Sequence, residues 1–252
     1  MSYLHVVILA LVEGLTEFLP ISSTGHLILT SHFLGLTSDD FLKAFQIIIQ
    51  FGAIMAVVVM YWKRFLKVDI NFYKKIAFGS FPVLLAGFLL KDVIDQWLDS
   101  TVIVAWSLVI GGIVFVLADM YIKPTQGKHD ISVLDSVKIG LIQCIALIPG
   151  ISRSGATILG AQTLRYEKTS AAEFSFFLAV PTLTAATLYK AWKIRHIIDS
   201  TNAPHLIVGI ILSFIFAWLA IKGFIAFVSR HGFKWFGFYR IVLGLLVLIY
   251  GR

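Results

Sequence analysis

Charge is scarce in this chain. Only 14% of its 252 residues are Asp, Glu, Lys or Arg, against roughly 25% in soluble domains. With 58% hydrophobic residues and a mean hydropathy of +0.89, a water-soluble globule is excluded and an integral membrane protein is expected. Cysteine occurs once, at Cys144, so no internal disulfide can form and the thiol reads as a small buried hydrophobe. Glutamate occurs four times, at Glu13, Glu17, Glu167 and Glu173, and the first two fall inside an apolar run. The Lys and Arg residues lie in short stretches between apolar runs with no aromatic platform beside them, which argues against a nucleic-acid partner. The net charge of +7 therefore speaks of topology and lipid contact. The first segment lacks a basic leader and a small-residue cleavage site and carries two glutamates, so it is not expected to be a removed signal peptide.

What is abundant is long hydrophobic runs, at 3–19, 22–34, 42–62, 75–90, 101–121, 132–148, 152–164, 171–190, 205–228 and 237–250. A spanning helix needs about 20 residues. The runs at 42–62, 101–121, 171–190 and 205–228 suffice, and 75–90 and 237–250 are short but workable where the protein is thin. The runs flanking Pro20 and Pro149-Gly150 are short and paired. Non-helical backbone at membrane depth is tolerated only inside protein or along a wet cavity, so these pairs are expected to be re-entrant. The predicted fold is an all-α polytopic membrane protein, one membrane domain over 1–252. It has about six spanning helices plus two re-entrant helix–loop–helix hairpins.

The two breaks are copies of each other. At an offset of 130 residues Ile21, Ser22 and Gly25 fall on Ile151, Ser152 and Gly155, while Glu13 falls on Gln143 and Leu29 on Leu159. The repeat halves are expected at about 1–121 and 132–250. One hairpin and three crossings per half would invert the second half relative to the first. Lys63, Arg64, Lys67, Lys74, Lys75, Lys123, Lys128, Arg165, Lys168, Arg230 and Lys234 would face the cytoplasm. Asp39, Asp40, Asp92, Asp95 and Asp99 would face out. Lys190, Lys193 and Arg195 dissent. Hairpin one would then enter from the outer face, hairpin two from the inner, with tips meeting near mid-membrane.

The polar residues in the breaks carry the chemistry. Glu13 and Glu17 are one helical turn apart and share a face. A carboxylate in a membrane segment costs roughly 2.5–3.5 kcal/mol on insertion scales and normally faces a polar interior. Two of them repel, which a shared proton, a metal ion or a nearby cation would relieve. The second break offers that cation in Pro149-Gly150-Ile151-Ser152-Arg153-Ser154-Gly155-Ala156-Thr157. A helix starting near Ser152 would present free N–H groups beside an Arg fork and the hydroxyls of Ser152, Ser154 and Thr157, an anion site suited to phosphate. The first break adds Ser22, Ser23, Thr24 and His26 around Gly25. Acids, imidazole, hydroxyls and arginine brought together suit phosphoryl transfer: Arg153 and helix N–H groups stabilise charge, and Ser23, His26 or an activated water attacks in line, with Glu17 or Glu13 as base.

At these residues the chain resembles the bacterial undecaprenyl pyrophosphate phosphatase family, also linked to bacitracin resistance. That family's signatures are an ExxxE-type acidic motif, here Glu-Gly-Leu-Thr-Glu at 13–17, and PGxSRSxxT, here 149–157 without departure. The likeness covers essentially the whole chain. It implies removal of the terminal phosphate from a C55 polyprenyl diphosphate, regenerating a lipid carrier for wall-polymer synthesis and giving resistance to bacitracin. It also implies a bacterial cytoplasmic (inner) membrane location, a site open to the outer face, and an influence of divalent cations. The residues fix no cofactor. Mg or Ca is the candidate, with Glu13 and Glu17 as its ligands. Partners are the polyprenyl diphosphate and the bilayer.

Other readings remain. Inverted repeats with broken helices also build secondary transporters and lipid translocases, and a structural scaffold would leave Glu13, Glu17 and Arg153 unexplained. Asp119, Lys222 and Arg240 read as helix-end or snorkelling residues. Glu173, Gln46 and Gln50 are weaker candidates for the same cavity.

Overall fold

A computed structural model describes residues 1–250 apart from 38, 99 and 123–126, so Asp99 and Lys123 lie outside the described residues. The described residues are helical throughout, with no strands: α1 (Tyr3–Thr16), α2 (Ser23–Phe33), α3 (Asp40–Ile48), α4 (Gln50–Met60), α5 (Trp62–Leu66), α6 (Ile70–Leu89), α7 (Lys91–Leu98), α8 (Thr101–Tyr121), α9 (Val133–Gln143), α10 (Arg153–Thr163), α11 (Lys168–Ile194), α12 (Ala203–His231) and α13 (Lys234–Tyr250). Starts follow sequence: Asp39, Asp69, Ser100 and Ser132 each accept a backbone N–H of the first turn they precede. Gly232, at φ 75°, ends α12.

Five stretches are long and apolar enough to cross a membrane: Asp40–Met60, Ile70–Leu89, Thr101–Tyr121, Lys168–Ile194 and Ala203–His231. Helix α13, with 17 residues, falls short of the sixth span that the hydropathy reading expects there, since a spanning helix needs about 20 residues at about 1.5 Å each. Their outward faces are apolar. On α8 Val102, Trp106, Ile110, Ile113, Val114 and Leu117 are exposed, a face that only lipid solvates well. The chain is a multi-pass membrane protein. Two details differ from the hydropathy reading. The run at 42–62 is interrupted at Ile49, between α3 and α4, and part of the loop at 91–100 forms the short α7.

Helices far apart along the chain pair in space. Helix α1 lies along α12 and α9 along α6, while α8 packs on α13 and α4 on α12. Small residues permit the close approach: a Cβ on Gly52 would collide with the Ile210 carbonyl, and one on Gly140 with the Gly79 carbonyl. The largest apolar cluster joins Phe18 of the first break to Ile139, Ile158, Phe176, Ala217 and Phe224.

Both breaks turn alike. The chain leaves α1 at 17–22 and α9 through a tight 3₁₀ turn at Cys144–Leu147. Ser22 at φ 66° and Ser152 at φ 77°, partners in the repeat, both adopt the left-handed φ that L-residues rarely take. Gly150, at φ 94°, has no room for a side chain, since a Cβ there would lie 2.5 Å from the Val104 carbonyl oxygen. Gly150→Ala is expected to destabilise the fold by about 1–3 kcal/mol, read as a lower melting temperature in detergent. An unchanged melt would show that this tip relaxes freely. Cys144, expected buried, is only half-buried at the start of the 3₁₀ turn, where its thiol donates to the Gly140 carbonyl at 3.4 Å.

Candidate active site

The two hairpin tips touch. Arg153, first residue of α10, reaches across to the end of α1, and its Nη2 donates to Glu17 Oε1 at 3.0 Å, with side chains only 12% and 7% exposed. The other carboxylate oxygen, Glu17 Oε2, accepts the Ser23 hydroxyl at 2.7 Å. A cation, a carboxylate and a hydroxyl thus form one line drawn from both breaks. Ser154 Oγ ties the tips again, donating to the Leu19 carbonyl at 2.9 Å. Desolvated charge pairs of this kind persist only with good geometry on both sides.

The remaining predicted residues divide into two groups. Ser152 caps α10 by accepting the Gly155 N–H at 3.1 Å and lies 3.1 Å from Ser154 Oγ. That leaves the backbone N–H groups of Arg153 and Ser154 at a helix start beside the guanidinium. Both carboxylate oxygens of Glu13 are buried without a hydrogen-bond partner, one turn below Glu17. By contrast, Thr157 is occupied: its hydroxyl lies 2.7 Å from Ser175 Oγ and within bonding distance of the Arg153 and Ser154 carbonyls. It braces α10 against α11. Ser22 and Thr24 stand at the start of α2, and the Ser22 side chain makes no cap bond.

His26 turns away from the carboxylates. Its Nδ1 is 2.8 Å from the Ser22 carbonyl oxygen, so Nδ1–H donates there, and Nε2 accepts the Tyr239 hydroxyl at 2.6 Å, with the two rings stacked. Both ring nitrogens are engaged, and neither reaches Ser23 or Glu17.

Sequence reasoning missed Ser175 and misplaced Arg240. Ser175, buried in α11, accepts from Arg153 Nη1 with its carbonyl at 3.0 Å and its hydroxyl at 3.3 Å, aiming the guanidinium. Nothing in its apolar neighbourhood sets this serine apart except its place beside Arg153 in the folded chain. Arg240 does not snorkel; it is completely buried between the breaks. Its guanidinium satisfies break carbonyls that have no helical partner, which hydropathy alone could not signal. Lys222, exposed over the Trp218 ring at 3.7 Å, does behave as a surface residue. Gln46 bonds Ser31 at 2.9 Å, and Glu173 accepts from Tyr61 at 3.2 Å, so neither joins the cluster by a hydrogen bond.

Among the described residues no group of three or more His, Cys, Asp or Glu side chains could hold a metal ion. The partnerless Glu13 carboxylate beside Glu17 does fit a hard cation that takes its other oxygen ligands from phosphate and water.

Comparison with known proteins places the whole chain among named relatives. A relative from Bdellovibrio bacteriovorus, an undecaprenyl-diphosphatase, is 54% identical over 99% of this chain and 96% of its own length. Undecaprenyl-diphosphatases of Flavobacterium psychrophilum and Persephonella marina are 48% and 46% identical, each over 99% of this chain and over 96% and 99% of their own. The model of the bacitracin resistance protein BacA matches residues 6–246, and with both hairpin tips inside that match the chain belongs to the BacA family.

Proposed function

We propose that this chain hydrolyses undecaprenyl diphosphate to undecaprenyl phosphate and inorganic phosphate, recycling the lipid carrier for cell-wall polymers and conferring bacitracin resistance. The observation that carries the reading is the Arg153–Glu17–Ser23 line, with contacts of 3.0 and 2.7 Å. A carrier needs groups that bind an anion. It has no use for a hydroxyl held on a carboxylate beside the anion site, so the transporter reading is not favoured.

The diphosphate displaces Glu17 Oε1 from Arg153, whose fork, with the Arg153 and Ser154 N–H groups and the Ser152 and Ser154 hydroxyls, takes the terminal phosphoryl oxygens. Ser22 and Thr24 line the approach from the first tip. Ser23 Oγ attacks the terminal phosphorus while its proton passes to Glu17. The bond from phosphorus to the bridging oxygen breaks and the lipid monophosphate leaves. Water then attacks the phosphoserine, the P–Oγ bond breaks, Ser23 recovers the proton from Glu17, and inorganic phosphate departs with both protons of the water. Thr157 holds Ser175, and Ser175 holds Arg153. His26 holds the Ser22 carbonyl, and with it the backbone turn that presents Ser23. A divalent cation, Mg or Ca, bound by Glu13 and Glu17 would neutralise diphosphate charge. The isoprenoid tail stays in lipid between helices. We place the protein in the bacterial cytoplasmic membrane with the site open to the outer face, supported by the loop charges.

The test is phosphate release from a prenyl diphosphate by the protein purified in detergent, where no gradient exists to drive a carrier. Ser23→Ala is expected to lower kcat by at least about 100-fold. Acid quenching with substrate labelled at its terminal phosphate is expected to trap label on Ser23 of the parent. Near-full turnover by Ser23→Ala, with no trapped label in the parent, would instead assign the attack to water.

A further inference from the structure

Arg240 sits in α13, outside every motif discussed so far, yet it is completely buried. No carboxylate lies within ion-pair distance of it among the described residues. Its partners are four main-chain carbonyls. Nη1 donates to Pro20 O at 3.3 Å and to Ile151 O at 2.8 Å, and Nη2 to Gly150 O at 3.1 Å and Ser107 O at 3.2 Å. Pro20 belongs to the first tip, Gly150 and Ile151 to the second, and Ser107 to α8. One guanidinium therefore holds both tips against a single spanning helix. The planar fork matters, because a lysine ammonium offers its donors from a single point and cannot span carbonyls on opposite sides.

The surroundings are shaped for this group. A Cβ on Gly111 of α8 would overlap Nη2, and the three nearest atoms it would meet all belong to Arg240. A Cβ on Gly155 of α10 would lie 3.3 Å from Nη1. The Phe115 ring covers the guanidinium at 5.5 Å. Three of the four carbonyls, those of Pro20, Gly150 and Ile151, precede Ser22 and Ser152, the two left-handed serines just ahead of α2 and α10. Holding them together sets how Ser23 of one tip faces Arg153 of the other.

We propose that Arg240 is a positioning residue for phosphoryl transfer. It clamps the carbonyls of both hairpin tips so that the Ser23–Glu17 pair of one half stays in register with Arg153 of the other. Arg240 itself touches no substrate. The proposal rests on the phosphatase reading of the tips. Misplacing reacting groups by about 1 Å can cost roughly 100-fold in rate, so the effect should appear in kcat. Substrate capture by Arg153 and the α10 start lies within one tip and should change little.

Two variants separate this role from simple folding. Arg240→Lys keeps the charge and loses the fork. Gly111→Ala leaves Arg240 in place but pushes its fork off the carbonyls, and alanine favours a helix. Both are compared with the parent in detergent for melting temperature, for monodispersity and for kcat and KM with a prenyl diphosphate. The expected result is folded protein with kcat lower by at least about 30-fold for Arg240→Lys and about 10-fold for Gly111→Ala, and KM within about threefold. Folded variants with parental kcat, a loss confined to KM, or failure of both to fold would each overturn the positioning role, the last by making Arg240 a strut of the fold. A parent that releases no phosphate would overturn the phosphatase reading first. An active parent matched by its variants overturns the clamp alone.

Discussion

Arg153→Ala is expected to lower kcat/KM by about 1,000- to 10,000-fold, some 4–5.5 kcal/mol of transition-state stabilisation. Two losses combine. The guanidinium is the cation placed by Glu17 and Ser175, and in a site shielded from water its contribution to charge developing on the phosphoryl group is large. Its removal also strands Glu13 and Glu17, two buried carboxylates one turn apart, beside an incoming dianion. Arg153→Lys restores a point charge and no fork, so it should recover part of the activity and stay about 10- to 100-fold below the parent. The measurement is phosphate release per folded molecule, with binding of a non-hydrolysable diphosphonate as a companion. An Arg153→Ala enzyme within tenfold of the parent would move the anion site elsewhere.

Much of this arrangement is legible in the sequence, and the reasons are physical. Polar residues are costly in apolar runs, so Glu13, Glu17 and Arg153 stand out and must serve something. The shared Ile-Ser-x-x-Gly step marks both breaks as one device. Pro20 and Pro149-Gly150 fall in the non-helical breaks between short helix pairs, where the sequence places them. The contact between Glu17 and Arg153 needs only the further step that opposite charges in low dielectric find each other.

The parts that were not legible depend on backbone direction. Spacing puts His26 one turn from Ser23, suggesting a catalytic pair. The ring instead folds back onto the Ser22 carbonyl and outward to Tyr239, a choice set by α13, which lies far along the chain. Arg240 follows the aromatic stretch of residues 235–239 and looks like an interfacial anchor. Only the folded breaks reveal the orphan carbonyls it answers. Ser175 is an ordinary serine in an apolar helix until Arg153 is placed beside it. Nor does a serine announce a left-handed φ, for which glycine or asparagine is the common choice.

Glu17→Gln should separate chemistry from binding more sharply than any other change. Glu17 has two jobs here, one on each oxygen: Oε2 accepts the Ser23 proton and Oε1 occupies Arg153. The amide is isosteric and can still accept a bond from Arg153, so the tips stay together, but it cannot take a proton. General-base catalysis contributes about 100- to 10,000-fold, and kcat is expected to fall by about 1,000-fold. KM should move the opposite way or hold still. A carboxylate competes with phosphate for the guanidinium, and a neutral amide competes less while removing one negative charge from the path of an anionic headgroup. A variant that lowers kcat while leaving KM equal or lower has lost transition-state stabilisation and ground-state competition together. A raised KM at parental kcat would give Glu17 a binding role only. Parental kcat and KM would place the base on another group, with partnerless Glu13 the first to examine.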